Sequence, residues 1–95
     1  MIALDGNRLQ VSGVLTMNTV PVLYAEGIPH LNLENLVVDF AKVELVDSSA
    51  VSLLLGWLRV ATKNKCDLQV TNLPDSLKSL ATLYGVAEML PAQVA

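Results

Sequence analysis

Charge is scarce in this 95-residue chain: Lys and Arg number six, Asp and Glu nine, and charged residues make up 16% against 53% hydrophobic. The six cations are scattered and the net charge is −3, so no basic patch is available to neutralise phosphates. That argues against a nucleic-acid partner and against electrostatic attachment to anionic lipid. The single histidine, His30, follows Pro29 in an expected loop with no second His or Cys at ligand spacing, so no metal is expected. Cys66 has no partner for an internal disulfide and reads as a small core residue in a protein of a reducing compartment, the cytoplasm by default. One His and one Cys far apart give a Ser–His or Cys–His catalytic arrangement little to draw on. No Gly-x-x-x-x-Gly-Lys-Ser/Thr run cradles a phosphate. The expectation is a protein that is not an enzyme and carries no cofactor. No apolar run approaches the roughly 20 residues of a membrane helix. The opening Met-Ile-Ala-Leu-Asp has no basic region ahead of an apolar one, so neither a signal peptide nor direct membrane insertion is expected.

What is present in excess is apolar surface. A length of 95 residues fits one domain spanning residues 1–95, and so high an apolar share excludes disorder. The surplus favours a protein partner or an oligomer.

The best-patterned stretch runs from Val43 to Lys63 and changes character at Asp47-Ser48-Ser49. Beyond that triplet Val51, Leu54, Leu55 and Leu58 recur at helical spacing. Asp and Ser ahead of such a run are preferred N-caps, because their oxygens accept the free amide protons of the first turn. Val51, Leu54, Leu55, Leu58 and Thr62 are taken as the core face, with Ser52, Gly56, Arg59 and Lys63 as a polar stripe. Leu53, Trp57 and Val60 form a second apolar strip. A helix apolar on two sides is either sandwiched between a sheet and another helix, or presents one strip to a partner. Trp57 is the natural anchor for a partner, since Trp is enriched at interface hot spots.

Along the rest of the chain, Asp5-Gly6 signals a turn, and Leu9 to Ser12 alternates as a half-buried strand. Val14 to Thr16 continues it past a bulge at Gly13 or starts a second strand. Asn18 or Thr19 caps a short helix carrying Val20, Leu23, Tyr24 and Ile28, weakened by Gly27 and Pro29. Leu36 to Phe40 is an apolar run typical of a buried strand, extended by Ala41 to Leu45. Leu68 to Thr71 is another strand. Asp75 or Ser76 opens a last helix with Leu77, Leu80, Ala81 and Tyr84 on its apolar stripe and Gly85 as its stop. Pro91 onward is expected to fray. Alternating strands and helices predict an α/β fold: a mixed, mostly parallel sheet of about four strands joined by right-handed crossovers. Asp47-Ser48-Ser49 would lie at the carboxyl ends of the strands, where functional loops gather.

Asp39 and Asp47 both follow apolar strand residues and could meet as a cation-binding or proton-sharing pair, though such residues more often cap turns. Ser48 and Ser49 read as helix caps, or as contact or phosphorylation sites. A phosphate there would gain from the helix N-terminus yet be repelled by Asp47.

Taken together, Leu36 to Val43, Val46-Asp47-Ser48-Ser49-Ala50-Val51 and Leu53-Leu54-Leu55 resemble the STAS domain (sulfate transporter and anti-sigma factor antagonist) over essentially the whole chain. The resemblance implies a STAS-like sheet with helices packed mainly on one face, and a non-catalytic interaction module. Its MlaB branch is the cytoplasmic STAS subunit of the Mla phospholipid ABC transporter. Members of that branch share the short length, the early Leu23-Tyr24 pair, the Leu80 to Tyr84 ending and Leu90-Pro91. The resemblance implies a transporter ATPase as partner, met at Ser48, and a location peripheral to the inner membrane through that partner. The other branch, the anti-sigma factor antagonists, carries Asp-Ser-Ser-Gly with the second serine phosphorylated by a kinase. That serine would be Ser49, but Ala50 stands here for the glycine. The expected contact surface comprises Asp47, Ser48, Ser49, Ser52, Leu53, Gly56 and Trp57. Substitution of Trp57 is then expected to weaken the complex and spare the fold.

Overall fold

The computed structural model describes residues 1–93. Strand β1 (Ile2–Asp5) turns through Gly6-Asn7 into β2 (Arg8–Leu15), pairing antiparallel with Asp5 opposite Arg8. Gly6 takes φ +61, the left-handed conformation that a two-residue hairpin needs at its first central position. Then follow α1 (Val20–Gly27), a 3₁₀ turn (Ile28–His30), β3 (Asn35–Val46), α2 (Ser49–Lys63), β4 (Asp67–Thr71) and α3 (Asp75–Leu83). A second 3₁₀ turn (Ala87–Met89) leads to the two-residue strand β5 (Ala92–Gln93). The strands lie in the order β1-β2-β3-β4-β5, with β2 to β5 all parallel. Parallel neighbours taken in sequence order, each joined by a right-handed crossover, put every connecting helix on the same face of the sheet.

The side-chain alternation agrees. Leu9 and Val11, Leu36, Val38 and Phe40, and Leu68 and Val70 are buried beneath the helices. Gln10, Val37 and Gln69, one residue out of phase, are only half-buried on the other face. The mixed sheet with helices on one face is therefore as expected, with five strands rather than about four. The short edge strands account for the difference. β1 was hidden in an N-terminal stretch of mixed character. β5 forms at Ala92–Gln93, where fraying was expected, because Gln69 and Val70 offer these residues a free strand edge. Val94 and Ala95, expected to fray with them, lie outside the described residues.

Two register irregularities separate Gln10 from Ser12 and Gly13 from Val14 along β2–β3, so Val14 continues β2 rather than starting a new strand. β3 outruns β4, which pairs only with Asn35 to Asp39. The rest of β3, from Phe40 to Val46, thus carries the chain past β4 and delivers Asp47 beside the loop that leaves β2.

Candidate functional site

Asp47 organises the carboxyl edge of the sheet. Its main-chain N–H donates to the Leu15 carbonyl at 3.0 Å, closing the β2–β3 ladder. Its side chain then works in two directions. One carboxylate oxygen accepts the Met17 N–H at 3.1 Å, holding the β2–α1 loop. The other accepts the Ser49 N–H at 2.8 Å and also the Ser49 hydroxyl. The Ser49 hydroxyl, with those two main-chain donors, holds the Asp47 carboxyl below the ordinary aspartate range, against a smaller opposing effect of desolvation. The residue that caps α2 is therefore Asp47. Ser48 occupies the N-cap position but makes no side-chain capping bond.

From this edge a groove of about 560 Å³ runs between α2 and the segment after α3, lined by Met17, Asp47, Ser48, Ser49, Val51, Ser52, Leu55, Tyr84 and Val86. At about 100° per residue, Ser48, Ser52 and Leu55 fall on one strip of α2. Of the expected contact residues, four line this groove together: Asp47, Ser48, Ser49 and Ser52. Sequence reasoning misses Met17, Tyr84 and Val86, and assigns Val51 and Leu55 to the core face instead. Met17 has a legible signal, since any loop leaving a parallel strand shares the carboxyl edge with Asp47. Tyr84, expected on the apolar stripe of α3, follows the helix's last residue and is 56% exposed.

Leu53 and Trp57 require a correction. Both are fully buried, at 1% and 0% exposure, and offer no surface to a partner. The buried face of α2 is Ala50, Val51, Leu53, Leu54, Trp57 and Ala61. It is rotated by roughly 85° from the expected face, so Thr62 is exposed and Leu55 and Leu58 are half-buried. The cause is α1, which packs along the Leu53–Trp57 flank. Trp57 donates its indole N–H to the Tyr24 carbonyl at 3.2 Å. A Cβ on Gly27 would lie 2.5 Å from the Trp57 ring, so the glycine makes room for it. Gly56 serves the same interface, where a Cβ would meet the Tyr24 ring at 2.8 Å. Gly56, one turn beyond Ser52, thus packs against α1 and does not line the groove.

Asp39 does not meet Asp47. Some eight residues of strand separate them, on the order of 20–25 Å, and each has its own partners. Asp39 binds Arg8 at 3.0 Å, the Asn72 amide at 3.0 Å and the Ala41 N–H at 2.9 Å. Burial pushes its carboxyl up, but these donors outweigh that and leave it below its ordinary value. Both carboxylates are caps rather than a pair. Burial, with the Asp67 charge beside it, raises the Cys66 thiol, which suits a core residue and not a nucleophile. Among the described residues no group of three or more His, Cys, Asp or Glu is placed to hold a metal ion. No helix there is long and apolar enough to cross a membrane.

A sheet flanked by helices on one face, with its loops gathered beside a helix N-terminus, is the architecture of a small α/β domain. The family model described as MlaB, STAS domain matches residues 2–91, and the chain belongs to that family. Among solved structures it is similar to the anti-sigma factor antagonist SpoIIAA in its unphosphorylated form. That likeness has a TM-score of 0.74 at 15% identity, covering 100% of this chain and 87% of the other. A Thermotoga maritima protein described as a putative anti-sigma factor antagonist gives a TM-score of 0.77 at 9% identity, covering 100% and 86%. At such identities the likeness is one of fold. No curated protein matches the chain in sequence.

Proposed function

We propose that this chain is a non-catalytic subunit that binds the ATPase of an Mla-type phospholipid-trafficking ABC transporter and stabilises or activates it. It would sit in the cytoplasm, peripheral to the inner membrane through that partner. The observation that carries this reading is the MlaB-type family match together with the groove at the mouth of α2. There the Ser48 and Ser52 side chains stand between apolar walls, accessible and on a rigid helix, while Leu53 and Trp57 support that helix from below. Contact runs through Asp47, Ser48, Ser49 and Ser52, with Met17, Leu55 and Tyr84 replacing Leu53, Gly56 and Trp57 in the expected set.

The test is gentle purification of the tagged protein from its native host, with mass spectrometry of what accompanies it. An ABC ATPase together with a membrane permease is the expected result, and Ser48→Lys should remove both while the purified variant keeps its circular dichroism. Recovery of an ATPase that Ser48→Lys does not disturb would move the interface elsewhere.

A second reading, an anti-sigma factor antagonist phosphorylated at Ser49, draws support from the fold shared with SpoIIAA. The Asp47 bond to the Ser49 hydroxyl weighs against it, because a phosphate at Ser49 would replace that bond with repulsion. A serine kinase in the same purification, with an ATP-dependent mass shift abolished by Ser49→Ala, would favour this reading.

A further inference from the structure

We propose that the groove at the mouth of α2 receives an arginine side chain of the partner protein, an inference that rests on the ATPase-subunit reading above. A helix N-terminus would ordinarily suggest an anion, since its free N–H groups and dipole favour negative charge. Here three of those groups are already taken. Ser49 N–H donates to the Asp47 carboxylate, Ala50 N–H to the Asp47 carbonyl and Val51 N–H to the Ser48 carbonyl. What remains is the charge balance. The Asp47 carboxylate carries a full negative charge, against roughly half a positive charge from the helix dipole.

Among the described residues no cation lines the groove. Arg59, the first cation of α2, stands seven residues beyond Ser52. That is about 10 Å along the helix, a full screening length at ordinary ionic strength. The mouth is therefore negative, and the complementary side chain is cationic.

The walls decide between lysine and arginine. Met17, Val51, Leu55 and Val86 are apolar, Tyr84 adds an aromatic ring, and the polar groups are the Asp47 carboxylate and the Ser48 and Ser52 hydroxyls. A compact, strongly hydrated ammonium is poorly served by such a lining. A planar guanidinium is suited to it: it stacks on an aromatic face, lays its aliphatic stem on apolar surface and spreads its donors over several acceptors.

Two measurements test this. The first uses the isolated chain and needs no partner. Its ¹⁵N amide spectrum is titrated with Nα-acetyl-arginine amide and, separately, with Nα-acetyl-citrulline amide, the neutral isostere. Saturable shifts confined to Met17, Ser48, Ser52 and Tyr84 with arginine, and at least threefold smaller with citrulline, are expected. Equal shifts with both, or none with arginine, overturn the proposal whatever the partner proves to be. The second uses the complex with the co-purifying ATPase and substitutes the exposed Ser52. Ser52→Lys should weaken binding more than tenfold relative to Ser52→Gln, and Ser52→Glu should bind at least as well as Ser52→Gln. The reverse order would mean an anionic anchor, and equal weakening by all three a steric effect only; either overturns it. Failure to recover any ATPase would remove the functional reading, and the amide titration alone would then decide what the groove binds.

Discussion

The Trp57 indole N–H points at the main-chain carbonyl of Tyr24, 3.2 Å away, and the ring itself lies over Gly27 at the end of α1. The largest side chain of the protein thus joins two helices and touches no solvent. Trp57→Ala should cost about 3–5 kcal/mol, as large-to-small changes of buried aromatics do. That is enough to unfold a marginal domain of this size. Urea titration followed by circular dichroism measures it. A stable, fully folded Trp57→Ala variant would contradict the burial described above and return Trp57 to the surface.

The two interface glycines should behave differently. A methyl at Gly27 meets the Trp57 ring at 2.5 Å, and a fully buried ring has nowhere to retreat. A methyl at Gly56 meets the ring of Tyr24, which is 36% exposed and free to swing outward. Gly27→Ala should therefore destabilise by about 1–3 kcal/mol, the usual cost of overpacking. Gly56→Ala should cost far less, and replacing a mid-helix glycine returns up to about 1 kcal/mol of helix propensity. Thermal melts of the two variants give the comparison, and the order Gly27 worse than Gly56 is the prediction.

Much of this was legible in the sequence, and the part that was not has a specific origin. The alternation of Leu9 to Ser12, the apolar run from Leu36 and the spacing of Val51, Leu54 and Leu58 placed the central strands and helix, because each pattern is local. The Asp-Ser-Ser triplet placed the groove's polar end for the same reason. The choice between the two apolar strips of α2 was not local. It depends on α1 lying against Leu53 and Trp57, a contact across some thirty residues of chain that Gly27 and Gly56 permit. Both sandwiched and partner-facing helices show two apolar strips, and only the neighbour's position separates them. Glycines so far apart in the chain carry no periodicity that would reveal it. The short edges β1 and β5 escaped for a related reason: strands of four and two residues are fixed by the edges they join, β2 for β1 and Gln69–Val70 for β5, and not by their own residues.

Asp39 gives the protein an acid-sensitive seam on the open face of the sheet. Its folded pKa is depressed, so it binds protons less readily folded than unfolded. Its contribution is complete above the unfolded aspartate value of about 3.9 and is lost as pH falls through the lower folded value. Stability should fall with acidification in that window. Asp39→Asn should flatten the fall while lowering stability at neutral pH, where the Arg8 bond and the Ala41 cap are weakened. Urea midpoints measured from neutral to acid pH for both proteins test the slope. An unchanged acid slope in Asp39→Asn would place the proton uptake at another carboxylate.

Ser48 and Ser49 should separate cleanly despite being neighbours. The Ser49 hydroxyl is committed to Asp47, whereas Ser48 is exposed and caps nothing with its side chain. Ser49→Ala should thus remove one of the donors that hold the Asp47 carboxyl down, raising its pKa toward the ordinary value. The acid loss of stability contributed by Asp47 would then be smaller and end at a higher pH, since it still begins near the unfolded aspartate value of about 3.9 but runs down only to a less depressed folded one. Ser48→Ala should leave that pKa and the thermal midpoint nearly unchanged. Side-chain carboxyl titration by NMR reads the Asp47 pKa directly. Amide hydrogen exchange at Met17 and Ser49, whose N–H groups both end on that carboxylate, reads the clasp. Asp47→Asn should speed exchange at both positions together, because one side chain holds the β2–α1 loop and the start of α2. Faster exchange at Ser49 with Met17 unaffected would mean that the two loops are held independently, and that Asp47 is a helix cap and nothing more.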